Sequence, residues 1–154
     1  MNKEGFLSAI ISVFILSIIV LAVIIFFIYE NKWIGFIFIL LGFLHLAALK
    51  IFGIEIKTIW PDVVFGVVDN GFLVVGALVG ADVAGIIGAV VGGSAANAIT
   101  DGFAGIFEGW TAQYLHRHNI KERRTALSSA LGKMAGCFFG AGVVLLIAWT
   151  FLSF

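Results

Sequence analysis

The stretch AGIIGAVVGGSAANAITDGFAGIFEGWTAQY, residues 84–114, is long and mostly apolar, but a few polar side chains interrupt it. In a helix that turns by about 100° per residue, Asn97, Asp101 and Glu108 lie at about 0°, 40° and 20° around the axis, so they share one face. An aspartate at the centre of a membrane-spanning helix costs about 2.5–3.5 kcal/mol on insertion scales. The sequence therefore predicts that this face is turned away from lipid and forms the functional site.

Composition places the whole chain in the membrane class. Of its 154 residues, 62% are hydrophobic and only 12% are charged, which is too few charges to cover the surface of a soluble domain of this length. The formal net charge is zero, so there is no electrostatic basis for nucleic-acid binding. We expect an all-α integral membrane protein in which residues 1–154 form one domain in contact with the lipid bilayer.

Five apolar segments are long enough to cross about 30 Å of hydrocarbon at about 1.5 Å per residue. They cover approximately residues 6–29, 33–52, 62–81, 84–114 and 128–152. If the five spans alternate in direction, Lys32 lies on one side of the membrane. All other lysines and arginines then lie on the opposite side: Lys3, Lys50, Lys57, Arg117, Lys121, Arg123, Arg124 and Lys133. The positive-inside rule then predicts a cytoplasmic N-terminus and an exterior C-terminus. A prokaryotic plasma membrane is the expected location.

The third predicted span brings a second group of polar side chains. A turn at about residues 82–83 would place Asp69 and Asn70 level with residues 95–97 of the next span, with Glu108 nearer the cytoplasm. Carboxylate and amide oxygens are ligands for Mg²⁺, Mn²⁺ or Fe²⁺, and neighbouring carboxylates can also relay protons. The alternative is a neutral, protonated pair of acids that is hydrogen-bonded for helix packing or to a partner subunit. The predicted metal ligands are Asp69, Asn70, Asn97, Asp101 and Glu108.

The remaining motifs favour packing over catalysis, and we expect no enzymatic activity. Ser94 would need an activating histidine, and the only histidine within a predicted span, His45, is expected to bond a backbone carbonyl. His116 and His118 flank Arg117 in a basic loop that is expected to face water and phospholipid headgroups. The many glycines of the third, fourth and fifth spans predict close contact between helices.

The segments DVVFGVVDNGFLVVGALVGA, residues 62–81, and GGSAANAITDGFAGIFEGWTAQY, residues 92–114, together resemble the first helical hairpin of the vacuolar iron transporter family. The resemblance covers about a third of the chain. It implies transport of divalent iron or manganese through a dimer, with Asp69 matching the family's intramembrane aspartate. The chain differs from the family in three respects. Two helices precede the hairpin, and the basic loop Arg117–Arg124 stands where the family has an acidic, metal-collecting helical domain. The family's metal-liganding methionine in the second helix of the hairpin has no counterpart here, because Met134 lies in the last span.

Two functions follow from these observations. The first is binding or translocation of an iron- or manganese-like divalent cation, or of protons, through the predicted acid-amide cluster; a divalent metal ion is the cofactor that the first of these would require. The second is that of a non-catalytic accessory subunit in a larger membrane complex, for example a respiratory or copper-dependent monooxygenase assembly. Both functions imply association with other chains, either as a homo-oligomer or with other membrane subunits.

Overall fold

The computed structural model describes residues 3–27, 33–118 and 124–152, and this part of the chain is helical almost throughout, with no strand. Four helices follow one another: α1 (Lys3–Phe27), α2 (Ile34–Ile51), α3 (Ile56–Arg117) and α4 (Ala126–Ile147). A π-helical turn, Ala148–Leu152, extends α4. Each of the four helices has a stretch that is long and apolar enough to span a membrane, which identifies an integral membrane protein. Lys32, Lys121, Arg123 and the predicted end of the first span at residue 29 lie outside the described residues.

Helix α3 unites the predicted third and fourth spans. It has 62 residues, about 90 Å at 1.5 Å per residue, and it is interrupted only at Ala84 and Gly85. It also begins at Ile56, earlier than the predicted third span at residue 62, so that Lys57–Trp60 is helical as well. We call residues 56–83 the first arm of α3 and residues 86–117 the second arm.

The interruption folds α3 back on itself. Gly85 has φ 60° and ψ −139°, a conformation that residues with a Cβ rarely adopt, and it follows Ala84 at φ −141° and ψ 23°. A methyl group at Gly80 would overlap the carbonyl of Gly88, and one at Gly92 would overlap the carbonyl of Gly76. Because these paired residues lie at equal distances on either side of the interruption, the two arms pack antiparallel with their backbones in close contact.

Helix α4 is the central packing element of the described residues. Added methyl groups at Gly136 and Gly140 would overlap the carbonyls of Val63 and Val67, which places α4 parallel to the first arm. On another face, Gly42 packs against the Phe139 ring and Gly142 against Gly35, which places α4 antiparallel to α2. Small residues permit this close approach where lipid supplies no hydrophobic driving force between helices.

One end of the helical bundle has the most completely buried side chains. Leu49, Ile59 and Leu131 are fully buried there, at the end of α2 and the beginnings of α3 and α4. A capping box fixes the start of α4: the Thr125 hydroxyl accepts from the Ser128 amide, and the Ser128 hydroxyl accepts from the Thr125 amide. The second arm, in contrast, leaves most of its side chains exposed beyond its contact with the first arm.

Candidate functional site

Asp69 is a buried acid on the first arm, about 20 Å along α3 from its start at Ile56. Its side chain is only 8% exposed, and the hydroxyl of Thr100 on the second arm donates a hydrogen bond to Oδ1. The same hydroxyl oxygen lies 3.2 Å from the carbonyl oxygen of Ala96 and 3.0 Å from that of Asn97. Thr100 was not among the predicted site residues, and it is the contact through which the second arm reaches Asp69.

Asn97 and Asp101 form a pair within the second arm. Nδ2 of Asn97 donates to Oδ2 of Asp101 over 2.8 Å, one helical turn away, as the shared helix face predicts. Asp101 is exposed and Asn97 is half-buried. The two side chains therefore satisfy part of each other's hydrogen bonding on the surface of the arm rather than at its contact with Asp69.

Glu108 joins the second arm to α4. Its Oε1 lies 3.0 Å from Nζ of Lys133, and the same ammonium group lies 4.7 Å from the centre of the Phe65 ring on the first arm. Lys133 thus contacts both arms by an ion pair and a cation–π interaction. In the sequence, the charge of Lys133 was used only to predict how the chain is oriented in the membrane. The ion pair could have been predicted from the sequence, because Glu108 and Lys133 carry opposite charges and lie at similar distances from the same end of the bundle.

A second buried acid, Asp62, lies near the start of α3. It is 4% exposed, and its carboxylate lies 3.2 Å from Nη1 of Arg124 and accepts from the hydroxyl of Ser129 over 3.2 Å. Because α3 begins at Ile56, Asp62 lies beyond the first turn of the helix, and residues at and just before the start of α4 stabilise its carboxylate.

The predicted ligands are thus distributed over three sets of contacts: Asp69 with Thr100, Asn97 with Asp101, and Glu108 with Lys133. Asn70 is half-buried beside Asp69 in the chain. Within the described ranges, no three His, Cys, Asp or Glu side chains form a group that could hold a metal ion. A metal bound inside one chain would therefore need amide, hydroxyl, carbonyl or water oxygens in addition to its carboxylates.

His45 and His118 have local partners. His45 is fully buried, with Nδ1 2.8 Å from the Leu41 carbonyl oxygen and its ring 5.2 Å from that of Phe138, so the expected backbone bond is confirmed. Because a carbonyl can only accept, Nδ1 carries the proton. His118 makes the same type of contact with the Tyr114 carbonyl over 2.8 Å at the exposed end of α3.

Comparison of the chain with family models, curated proteins and solved structures finds no match in any of the three. The functional argument therefore depends on chemistry at the arms of α3. Three features distinguish that region: a buried acid with a hydroxyl donor, an acid-amide pair exposed on a helix within a membrane-spanning stretch, and an ion pair that ties the second arm to α4.

Proposed function

We propose that this protein binds or translocates a cation, either a proton or a divalent metal ion, across the membrane through Asp69. The observation that carries the proposal is the burial of Asp69 between the two arms with the Thr100 hydroxyl as its partner. The described hydrogen bonds and ion pairs of Asp69 include no basic side chain, whereas Asp62 and Glu108 each contact one. An ionisable group buried within a span without a fixed counter-ion is suited to bind a mobile cation.

The carbonyl oxygens beside the Thr100 hydroxyl allow hydrogen bonding to Asp69 both with and without a proton on its carboxyl group. When Asp69 is ionised, the Thr100 hydroxyl donates to it, as in the structure. When Asp69 is protonated, its own proton is donated to the Thr100 oxygen, and the threonine proton turns to the carbonyl of Ala96 or Asn97. Both charge states thus keep their hydrogen bonds, so a proton can arrive and leave without leaving a buried polar group unpaired.

The directions of the helices support five membrane crossings. The first arm runs parallel to α4, while α2 and the second arm run antiparallel to it. In this arrangement the arms of α3 are separate spans joined by the turn at Ala84–Gly85, and Lys50, Lys57 and Arg117 lie at one end of the bundle. We propose that this end is cytoplasmic, that the C-terminus is exterior, and that the membrane is a prokaryotic plasma membrane.

The resemblance to the vacuolar iron transporter family favours Fe²⁺ or Mn²⁺ as the divalent cation. In this proposal the cation meets its ligands at separate positions along the path: Asp69 with Asn70 beside it, the exposed pair of Asp101 and Asn97, and Glu108 at the cytoplasmic entrance. The contact between Glu108 and Lys133 fits an entrance whose acid is neutralised until a cation approaches.

Flux measurements on purified protein in sealed vesicles test this function. An internal pH dye would report protons, and a metal-quenched dye would report Fe²⁺ or Mn²⁺, for the wild type and for Asp69→Asn and Asp101→Asn. Asp82→Asn is the matched control, because Asp82 is exposed near the turn between the arms. We expect both site variants to lose cation-dependent flux and the control to retain it. Normal flux in Asp69→Asn would refute the proposal.

A second candidate function is that of an accessory subunit in a larger membrane assembly. The observation that favours it is the exposed second arm, where Asp101 and large apolar side chains such as Phe103, Ile106 and Phe107 are uncovered. Purification in a mild detergent distinguishes the two candidates. Other polypeptides present in a fixed ratio would support the accessory function, whereas an active chain free of other polypeptides would exclude it.

A further inference from the structure

Cys137 is the only cysteine of the chain, and it lies half-buried in α4 opposite the first arm of α3. Gly66 of the first arm fixes its position, because a methyl carbon at Gly66 would lie 2.7 Å from the backbone nitrogen of Cys137. Asp69 follows Gly66 by three residues, which is about 4.5 Å along the helix axis. The cysteine and the buried acid are thus almost level, on two parallel helices in close contact.

The contacts of Lys133 show which side of α4 the thiol occupies. Lys133 lies one turn before Cys137, and its ammonium group reaches Phe65 of the first arm and Glu108 of the second arm. Residues four apart in a helix lie on the same side, so Cys137 also faces the groove between the two arms. By the same rule Asp69, one turn beyond Phe65, lies on the side of the first arm that Lys133 contacts.

The electrostatic surroundings of the Cys137 thiol agree with this placement. The charges of Asp69 and Asp101 both act on the thiol, as does the charge of Lys133, so it lies within electrostatic range of groups on both arms. The Thr100 hydroxyl, which donates to Asp69, comes from the second arm. A carboxylate, a hydroxyl and a thiol, each from a different helical segment, therefore converge on one part of the groove.

We infer that Cys137 is a sulfur ligand of the Asp69 site and makes it selective for Fe²⁺, Co²⁺ and Zn²⁺ over Mg²⁺ and Ca²⁺. The inference rests on the proposed cation function. Thiolate sulfur favours the first group of metals, whereas oxygen ligands alone suit Mg²⁺ and Ca²⁺. The thiol gives its proton to water as the metal–sulfur bond forms. Carboxylate and thiolate then balance the two positive charges of the metal, which lowers the cost of holding it within a span.

Absorption spectroscopy of the full-length protein with Co²⁺ in detergent micelles tests the inference. A cobalt–sulfur bond gives a charge-transfer band in the near ultraviolet, which oxygen ligands do not give. We expect the band in the wild type and its loss in Cys137→Ser and in Asp69→Asn. Val83→Cys in a Cys137→Ala background is the matched control, because it keeps one thiol but carries it to a side chain that is 80% exposed, about 21 Å from Asp69 along the first arm. A wild-type spectrum without the band, or a band retained by Asp69→Asn or by the control, would overturn the inference.

The preference between metals gives an independent test. Equilibrium dialysis would measure the dissociation constants of Co²⁺ and Mg²⁺ for the wild type and for Cys137→Ser. Serine keeps the size of the side chain but replaces sulfur by a hydroxyl oxygen, so we expect the fold to be retained. The preference for Co²⁺ over Mg²⁺ should then fall about tenfold or more. A Cys137→Ser variant with the preference of the wild type contradicts the inference.

The flux assay in vesicles separates this inference from the proposed cation function. Flux that is lost in Asp69→Asn, from a protein whose Co²⁺ spectrum has no sulfur band, would refute the inference alone. A sulfur band that requires Asp69, from a protein in which Asp69→Asn transports normally, would refute translocation through Asp69 and leave the thiol as a metal ligand.

Discussion

The hydroxyl of Thr100 is the polar group that the second arm supplies to the buried Asp69. Thr100→Val keeps the shape of the side chain but leaves the acid without this donor. We expect a loss of about 1–2 kcal/mol in the free energy of unfolding, because a buried polar group loses its partner and such bonds in membranes are of modest strength. Unfolding in mixed micelles, followed by tryptophan fluorescence, would measure the loss.

The double variant Asp69→Leu/Thr100→Val provides the control for this prediction. Replacing both partners by apolar groups removes the unsatisfied acid, so the double variant should be more stable than Thr100→Val alone. If the double variant loses as much stability as the sum of the two single changes, the two side chains do not interact and the contact is wrong.

The position of Thr100 also shows what the sequence could predict at this scale. Asp69 was identifiable, because an acid within an apolar segment is conspicuous. Its partner depended on where the chain turns. A turn at residues 82–83 faces Asp69 with residue 96, whereas the observed turn at Ala84–Gly85 faces it with Thr100. A shift of two residues in the turn moves the partner by four, which is one helical turn.

At the scale of single helices, the turn within α3 depends on Gly85. Its φ of 60° with ψ of −139° lies in a region that is open to glycine and strained for other residues. We expect Gly85→Ala to lower the free energy of unfolding by about 1–3 kcal/mol. Ala84→Gly, whose φ of −141° suits any residue, should cost less than about 1 kcal/mol. Equal losses for the two variants would show that the strain at Gly85 is absent.

The contact between α4 and the first arm depends on Gly136. A methyl group there would overlap the Val63 carbonyl, so Gly136→Ala should force the helices apart and cost about 1–3 kcal/mol. The same substitution at Gly71, where a methyl group has open space, should stabilise the chain by about 0.5–1 kcal/mol through helix propensity. Thermal unfolding in detergent would compare the two. A stabilising Gly136→Ala would contradict the packing.

Many glycines of these helices mark close packing, as predicted, but Gly71 and Gly102 have open space around them, and the sequence did not show which helix each packed glycine contacts. Hydropathy identifies apolar segments and small residues identify faces that can approach, yet neither property names a partner. The direction of α4, parallel to the first arm and antiparallel to α2, follows from the pairing of Gly136 with Val63 and of Gly142 with Gly35. Such pairings are long-range and depend on the shapes of both faces.

At the scale of the whole molecule, the sequence was sufficient for the class of protein and insufficient for the site. An apolar composition predicts membrane-spanning helices regardless of how the helices pack against one another, and all four described helices have a stretch that is long and apolar enough to span a membrane. Predicting the acid-amide cluster would have required the depth of each helix in the membrane and its rotation about its own axis. Glu108 instead contacts Lys133 of α4, and Asp62, which was not among the predicted ligands, contacts Arg124 just before α4, because α4 packs beside the first arm.

The topology of the whole chain is testable with two cysteines. In a Cys137→Ser background, Asp82→Cys lies near the turn between the arms and Lys57→Cys lies at the start of α3, and both native side chains are exposed. Each arm has about 28 residues or more, about 40 Å of helix, which exceeds the hydrocarbon thickness of about 30 Å. We therefore expect a membrane-impermeant maleimide to label Asp82→Cys in intact cells and Lys57→Cys only after permeabilisation. Labelling of both from the same side would mean that the arms enter and leave the membrane without crossing it, and the transport path through Asp69 would then have no exit.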